Sequence, residues 1–122
     1  MAVIAGPALD IQTRRTSTAT NVVLAGEIDL ASVPALEHAL QGMLGERPVR
    51  LILDLSAVGF VDSSGVHLLE RVREAADRAG VAFAAIGPDG PARQVFELCG
   101  REGILTAVSP GRGPSFLTDW TL

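Results

Sequence analysis

Apolar residues along the chain recur in two rhythms, and their alternation predicts the order of the elements. Leu9 to Thr16 and Asn21 to Ile28 are β-rich runs separated by Ser/Thr-rich turn residues, which reads as an antiparallel hairpin. After Gly26-Glu27-Ile28-Asp29 the rhythm changes. Val33, Leu36, Leu40 and Leu44 fall at helical spacing, with Ser32 at the N-cap position and Pro34 in the first turn, so the spacing predicts a helix that ends at Gly45. Val49, Leu51, Ile52, Leu53 and Leu55 are nearly continuous branched-apolar residues, the pattern of a central strand covered on both faces, with Arg50 near its entrance. Ser56 to Val61 reads as a loop.

Asp62-Ser63-Ser64-Gly65 opens a second helix, defined by Val66, Leu69, Val72, Ala76 and Ala79 and stopped by Gly80. Val81 to Ile86 is another buried strand. The turn cluster Gly87 to Pro91 opens a third helix, whose apolar members are Val95, Phe96, Leu98 and Cys99 and whose end is Gly100. Leu105 to Val108 reads as a last strand. Strands alternating with helices imply parallel pairing through right-handed crossovers, and the first hairpin adds an antiparallel edge. The expected fold class is therefore α/β, a mixed sheet with a parallel core packed by helices. Residues from Pro110 to Pro114 are mildly Gly/Pro-rich, and the tail through Trp120 either docks as a last short helix or frays.

The chain has 122 residues, room for one domain spanning 1–122 with its core at about 9–108. Hydrophobic residues make 48% and charged residues 20%, as in folded soluble proteins. The longest apolar run, Val81 to Ile86, is far short of the ~20 residues of a spanning helix. With no basic n-region at the N-terminus, the expected location is cytoplasmic. Cys99 is alone, and His38 and His67 do not complete a zinc site, so neither a disulfide nor a metal cofactor is expected. The net charge is -4 and all ten basic residues are scattered arginines, which disfavours direct nucleic-acid binding. The absence of Lys removes Walker A loops and Schiff-base chemistry.

Chemistry concentrates at Asp62-Ser63-Ser64-Gly65, where a loop leaves a central strand and a helix begins, the place where open α/β sheets meet ligands and partners. Asp and Ser there serve as caps, and Gly permits close approach. Alternatively, one Ser is a phosphoacceptor, exposed on the loop and backed by free N–H groups that accommodate a phosphate. A hydrolase nucleophile is opposed by the local sequence: the elbow Gly-x-Ser-x-Gly needs glycines where Val61 or Asp62 stands. His67 lies three residues after Ser64 on the same helix, and His38 has no acid placed to orient it. No enzyme activity is expected. Asp29 ends the second strand, either as a turn residue or, if the first helix returns the chain into the adjacent strand, as a second carboxylate near Asp62.

At these residues the sequence resembles the STAS-domain family of bacterial anti-sigma factor antagonists, the anti-anti-sigma factors. The resemblance covers about residues 9–108. It is carried by Gly26-Glu27-Ile28-Asp29, by Leu51-Ile52-Leu53-Asp54-Leu55-Ser56 followed by Phe60-Val61-Asp62-Ser63-Ser64-Gly65, and by Phe96-Glu97-Leu98 with Gly100. The resemblance implies a protein that binds an anti-sigma factor, often one that is also a serine kinase of the Bergerat ATPase fold, and so frees a sigma factor. Phosphorylation would switch it off, and a phosphatase would reset it. The family's acceptor immediately precedes the Gly, which here is Ser64. Asp62, Ser63 and Gly65 would lie in the docking surface, and Asp29 matches the acidic position after strand two. Val66-His67 and the tail beyond Ser109 depart from the family's pattern. Two alternatives remain open at this point: a constitutive, non-phosphorylated STAS adaptor or sensor module, and a small anionic-ligand carrier. The carrier lacks a glycine-rich fingerprint, since Gly111-Arg112-Gly113 is followed by Phe116 where a third Gly is needed.

Overall fold

The computed structural model describes residues 2–4 and 8–106. In chain order these form β1 (Ala2–Ile4), β2 (Leu9–Arg15), β3 (Ala19–Ile28), α1 (Val33–Gly45), β4 (Arg50–Val61), α2 (Ser63–Ala79), β5 (Ala82–Ile86), α3 (Gly90–Leu98), a 3-10 turn at Glu102–Ile104, and β6 (Leu105–Thr106). One sheet runs in the order β1-β2-β3-β4-β5-β6, antiparallel up to β3 and parallel from there. The α/β class, the mixed sheet and the hairpin agree with the sequence pattern. The last strand is seen as Leu105–Thr106; Ala107, Val108 and the tail from Ser109 lie outside the described residues. Strand β1, three residues long, left no readable period.

Because β3 to β6 are laid down side by side in sequence order, right-handed crossovers put every connecting helix on the same face of the sheet. That face is the main core: Val22, Leu24 and Ile28 of β3, and Leu51, Leu53 and Leu55 of β4, pack against Leu36 and Leu40 of α1, Leu69 and Val72 of α2, and Phe96 of α3. The expectation of a central strand covered on both faces therefore needs correcting, since helices cover one. On the other face Ile52 is buried, 1% exposed, in a small separate cluster with Ala19, Ala84 and Ile86. The bidentate pair between Arg71 and Glu37, with both nitrogen–oxygen distances 3.1 Å, ties α2 to α1. No helix among the described residues is long and apolar enough to cross a membrane.

Two further corrections have a geometric cause. Ser56 to Val61 is strand, the second half of β4, paired with Ala25 to Ile28 of β3 through two register irregularities. Those irregularities move the buried positions from Leu51, Leu53 and Leu55 to Val58 and Val61, three residues apart, so the period of two that marks a strand is lost. At Gly26, φ is +114° and a Cβ would sit 1.9 Å from the Ala8 carbonyl oxygen, which also accepts from the Glu27 N–H at 2.8 Å. Only glycine fits that position. In α3, Leu98 is 87% exposed. The helix instead buries Ala92 and Phe96, with Val95 and half-buried Cys99 packed beside them, and Leu98 lies about 200° around the helix from Phe96.

Leu53 is fully buried in the central strand, so Leu53→Ala is expected to lower unfolding free energy by about 2–5 kcal/mol. Leu98→Ala is expected to change it by less than about 0.5 kcal/mol. Urea unfolding midpoints at unchanged m-value check both.

Candidate functional site

Parallel strands β3 and β4 end together, Ile28 opposite Val61, so Asp29 and Asp62 leave the sheet side by side. The Asp62 N–H still donates to the Ile28 carbonyl at 3.2 Å. At Asp62 the backbone is extended, φ -107° and ψ 179°, and the residue caps α2. Its Oδ1 accepts from the Gly65 N–H at 3.1 Å and from the Ser64 hydroxyl. Its Oδ2 accepts from the Leu30 N–H at 3.2 Å, across to the loop between β3 and α1. One carboxylate thus gives the Gly65 N–H a second acceptor beside the Asp62 carbonyl, which it also reaches at 3.1 Å, and fixes the neighbouring loop.

That loop is a tight turn closed by Asp29. Its Oδ1 accepts from the N–H groups of Ala31 at 3.0 Å and Ser32 at 3.1 Å, and its carbonyl accepts from the Val33 N–H at 2.9 Å. Ser32 does stand at the N-cap position just before α1, but its side chain makes no cap bond to the helix. The hydroxyl is buried and turned back onto the loop, accepting from the Asp29 N–H at 3.0 Å and reaching the Glu27 carbonyl at 3.2 Å. The backbone of Ser32 is already helical, so its side chain does not point along the helix axis as an extended cap residue's would.

Gly65 explains how α2 approaches the strand ends so closely. A Cβ there would lie 2.7 Å from Val61 Cγ2, 2.8 Å from Ile28 Cγ2 and 3.0 Å from the Ile28 carbonyl oxygen. Glycine lets the helix start directly on the ends of β3 and β4, which brings the Ser64 hydroxyl to Asp62. Partial burial pushes the Asp62 carboxyl up, but hydrogen bonds from the Ser64 hydroxyl and from the N–H groups of Gly65, Leu30 and Ser64 outweigh it and hold the carboxyl below its ordinary 3.8.

The structure therefore brings Asp29, Asp62, Ser63, Ser64 and Gly65 to one end of the parallel pair. Ser64 is half-buried with its hydroxyl held, whereas Ser63 is exposed and its hydroxyl makes no hydrogen bond among the described residues. His67 is exposed one turn further along α2, and His38 is exposed on α1. Two residues at this end escaped sequence reasoning, Leu30, 75% exposed, and Phe60, 47% exposed. The available signal for Leu30 was an apolar residue inside a polar turn; Phe60 fell in the stretch read as loop.

Residues 10–110 match the STAS domain. The anti-sigma-F factor antagonist RsfB of Mycobacterium tuberculosis is 34% identical over 77 residues, which make up 63% of this chain and 62% of that protein. The chain thus matches somewhat less than two thirds of that relative's length. Among solved structures, an anti-sigma factor antagonist from Mycobacterium paratuberculosis superposes with TM-score 0.73 at 27% identity, over 96% of this chain and 98% of the other. The anti-sigma factor antagonist SpoIIAA in its unphosphorylated form shares the fold, with TM-score 0.72 at 18% identity over 89% of this chain and 96% of its own.

Gly65→Ala is expected to cost about 1–3 kcal/mol, because two of the three close contacts are strand side-chain methyls and the third is backbone. Asp62→Ala is expected to cost about 0.5–2 kcal/mol at neutral pH. Since the folded carboxyl titrates below 3.8, its contribution is fully present above that value and is lost as pH falls through the lower folded value. The gap between wild type and Asp62→Ala should therefore narrow below pH 3.8, read by thermal unfolding across pH.

Proposed function

The chain belongs to the STAS domain family, and on that premise we propose that it is an anti-sigma factor antagonist, switched off by phosphorylation of Ser64. The observation that carries this reading is the Ser64 hydroxyl, held by Asp62 at the start of α2 beside the Asp29 loop. RsfB and the Mycobacterium paratuberculosis protein, both described as anti-sigma factor antagonists, support it. In this reading the chain is a binding protein and not an enzyme. Its partner is an anti-sigma factor that is also a serine kinase of the Bergerat ATPase fold. The kinase supplies ATP, metal and base. Ser64 Oγ bonds to the γ-phosphorus, the bond from that phosphorus to ADP breaks, and the hydroxyl proton leaves to the kinase's base. A phosphatase hydrolyses the ester to reset the protein.

Asp62 selects the acceptor. It orients the Ser64 hydroxyl and leaves the Ser63 hydroxyl without a partner. Phosphate adds about -1.5 to -2 charges at the N-terminus of α2, where the macrodipole favours it by roughly 0.3–1 kcal/mol. Against this, a phosphate on Oγ lies near the Asp62 carboxylate, and two unit charges about 4 Å apart repel by roughly 1–4 kcal/mol between bulk water and a protein surface. Repulsion outweighs the macrodipole gain but stays within the roughly 5–15 kcal/mol of a typical domain's stability, so the fold survives and the change is felt at the interface. There the phosphate loses hydration, needs room, and faces the nucleotide phosphates of the kinase. A penalty of about 3–4 kcal/mol weakens binding on the order of a hundred- to a thousandfold, enough to release the partner.

Intact-mass analysis tests this reading, with the purified chain mixed with ATP, Mg²⁺ and the candidate anti-sigma kinases of its own genome. One phosphate is expected on wild type and on Ser63→Ala, and none on Ser64→Ala. Complexes that form with no phosphate on any variant would replace the switch with a constitutive adaptor. Neither phosphate nor complex would return the anionic-ligand carrier to first place.

A further inference from the structure

We infer that Leu30 and Phe60 are the apolar anchors of the partner-binding surface, and that the partner presents an apolar pocket rimmed by arginine or lysine side chains. The inference rests on the antagonist reading above and deepens it.

Large apolar side chains at high exposure are common singly, and what marks these two is their setting. Leu30 is 75% exposed although the turn around it is fixed: its own N–H is held by Asp62 Oδ2, and those of Ala31 and Ser32 by Asp29 Oδ1. The side chain is displayed on an ordered loop, so little further ordering is needed when a partner closes over it. Phe60 is 47% exposed, two residues before Asp62, on the strand that pairs with β3 through Glu27. Both anchors are thus tied within two residues, or by one hydrogen bond, to the carboxylate that holds Ser64. Exposed apolar side chains beside a polar site are the composition of an interface centre, where a few such residues carry most of the binding energy.

The charged residues joined to them by chain, strand pairing or hydrogen bond are acidic. Glu27 pairs opposite Phe60, Asp29 directly precedes Leu30, and Asp62 holds the Leu30 N–H; among the described residues the ion pairs involve Glu37, Glu46, Glu70 and Glu97 and none of these three. The partnering of Asp29 and Asp62 comes from N–H groups and hydroxyls, which leaves their net charge in place. A partner that buried Leu30 and Phe60 without cations would press three unneutralised carboxylates into its surface. Basic side chains at the rim remove that cost, set the register and accelerate encounter.

The test is calorimetric titration of wild type, Leu30→Ser, Phe60→Ser and Leu98→Ser with each purified, nucleotide-bound anti-sigma factor of the same genome. Leu98 is the control, fully displayed at the C-terminal end of α3 and so at the opposite end of the sheet from Asp62. All three positions are exposed, and melting temperatures verify that each variant is folded. The expected result is a Kd weakened at least about tenfold by Leu30→Ser and by Phe60→Ser, with Leu98→Ser within about twofold of wild type. Wild-type affinity should also fall as salt rises, as a basic rim requires. Wild-type binding retained by both anchor variants would overturn the inference and leave the antagonist reading intact. An equal loss in Leu98→Ser, or affinity indifferent to salt, would also overturn it. If wild type itself bound none of the anti-sigma factors, the antagonist reading would fall and the inference with it.

Discussion

A single carboxylate, that of Asp62, joins the start of α2 to the loop between β3 and α1. One oxygen takes the Gly65 amide and the Ser64 hydroxyl, the other takes the Leu30 amide. The bonds do more than cap a helix, because the strand ends they span are parallel and in register, Ile28 against Val61. Two helices starting from adjacent parallel strands converge at one end of the sheet, and Gly65 lets the second start at contact distance. The docking surface proposed here depends on that convergence. Without it, Ser64 and the Asp29 loop would be separate features of the molecule.

The arrangement also explains why so little chemistry is needed from this chain. Under the proposed function the chain has only to present a phosphoacceptor, and the modifying reaction is the partner's. What the fold supplies is a hydroxyl in a fixed position at the favourable end of a helix. A modification there alters charge and shape at a surface while the core under it, Leu24, Leu53, Leu69 and their neighbours, stays untouched. Under the proposed switch, stability and switching are thereby separated, and a small protein responds to one phosphate without unfolding.

Much of this was legible before any coordinates. Helix α1 and its end at Gly45 followed from Val33, Leu36, Leu40 and Leu44, and α2 with its stop at Gly80 from an equally regular period. The meeting of Asp29 and Asp62 was foreseeable from topology, since a helical crossover places the next strand alongside. What escaped had physical causes. The second half of β4 was hidden by register irregularities that space Leu55, Val58 and Val61 three apart. Ser32 looked like a cap by residue type, yet the backbone conformation that decides where its hydroxyl points is not written in the residue name. Leu98 fell within a helical apolar cluster but a fraction of a turn outside its buried arc. The one-sided placement of the helices followed from strand order, which hydrophobic runs alone do not encode. Leu30 and Phe60 belonged to no apolar period: Leu30 is a single apolar residue in a polar turn, and Phe60 lies in the stretch read as a loop.

The coupling of the α2 start to the Asp29 loop through Asp62 is the claim on which the rest stands. Native-state amide hydrogen exchange of Asp62→Ala against wild type tests it most directly. Under the account, the Leu30 amide, 32 residues away in sequence, loses its protection in the variant, while the Leu53 amide in the central strand keeps its own. A Leu30 amide equally protected in both proteins would show that the loop holds itself, and would contradict the account.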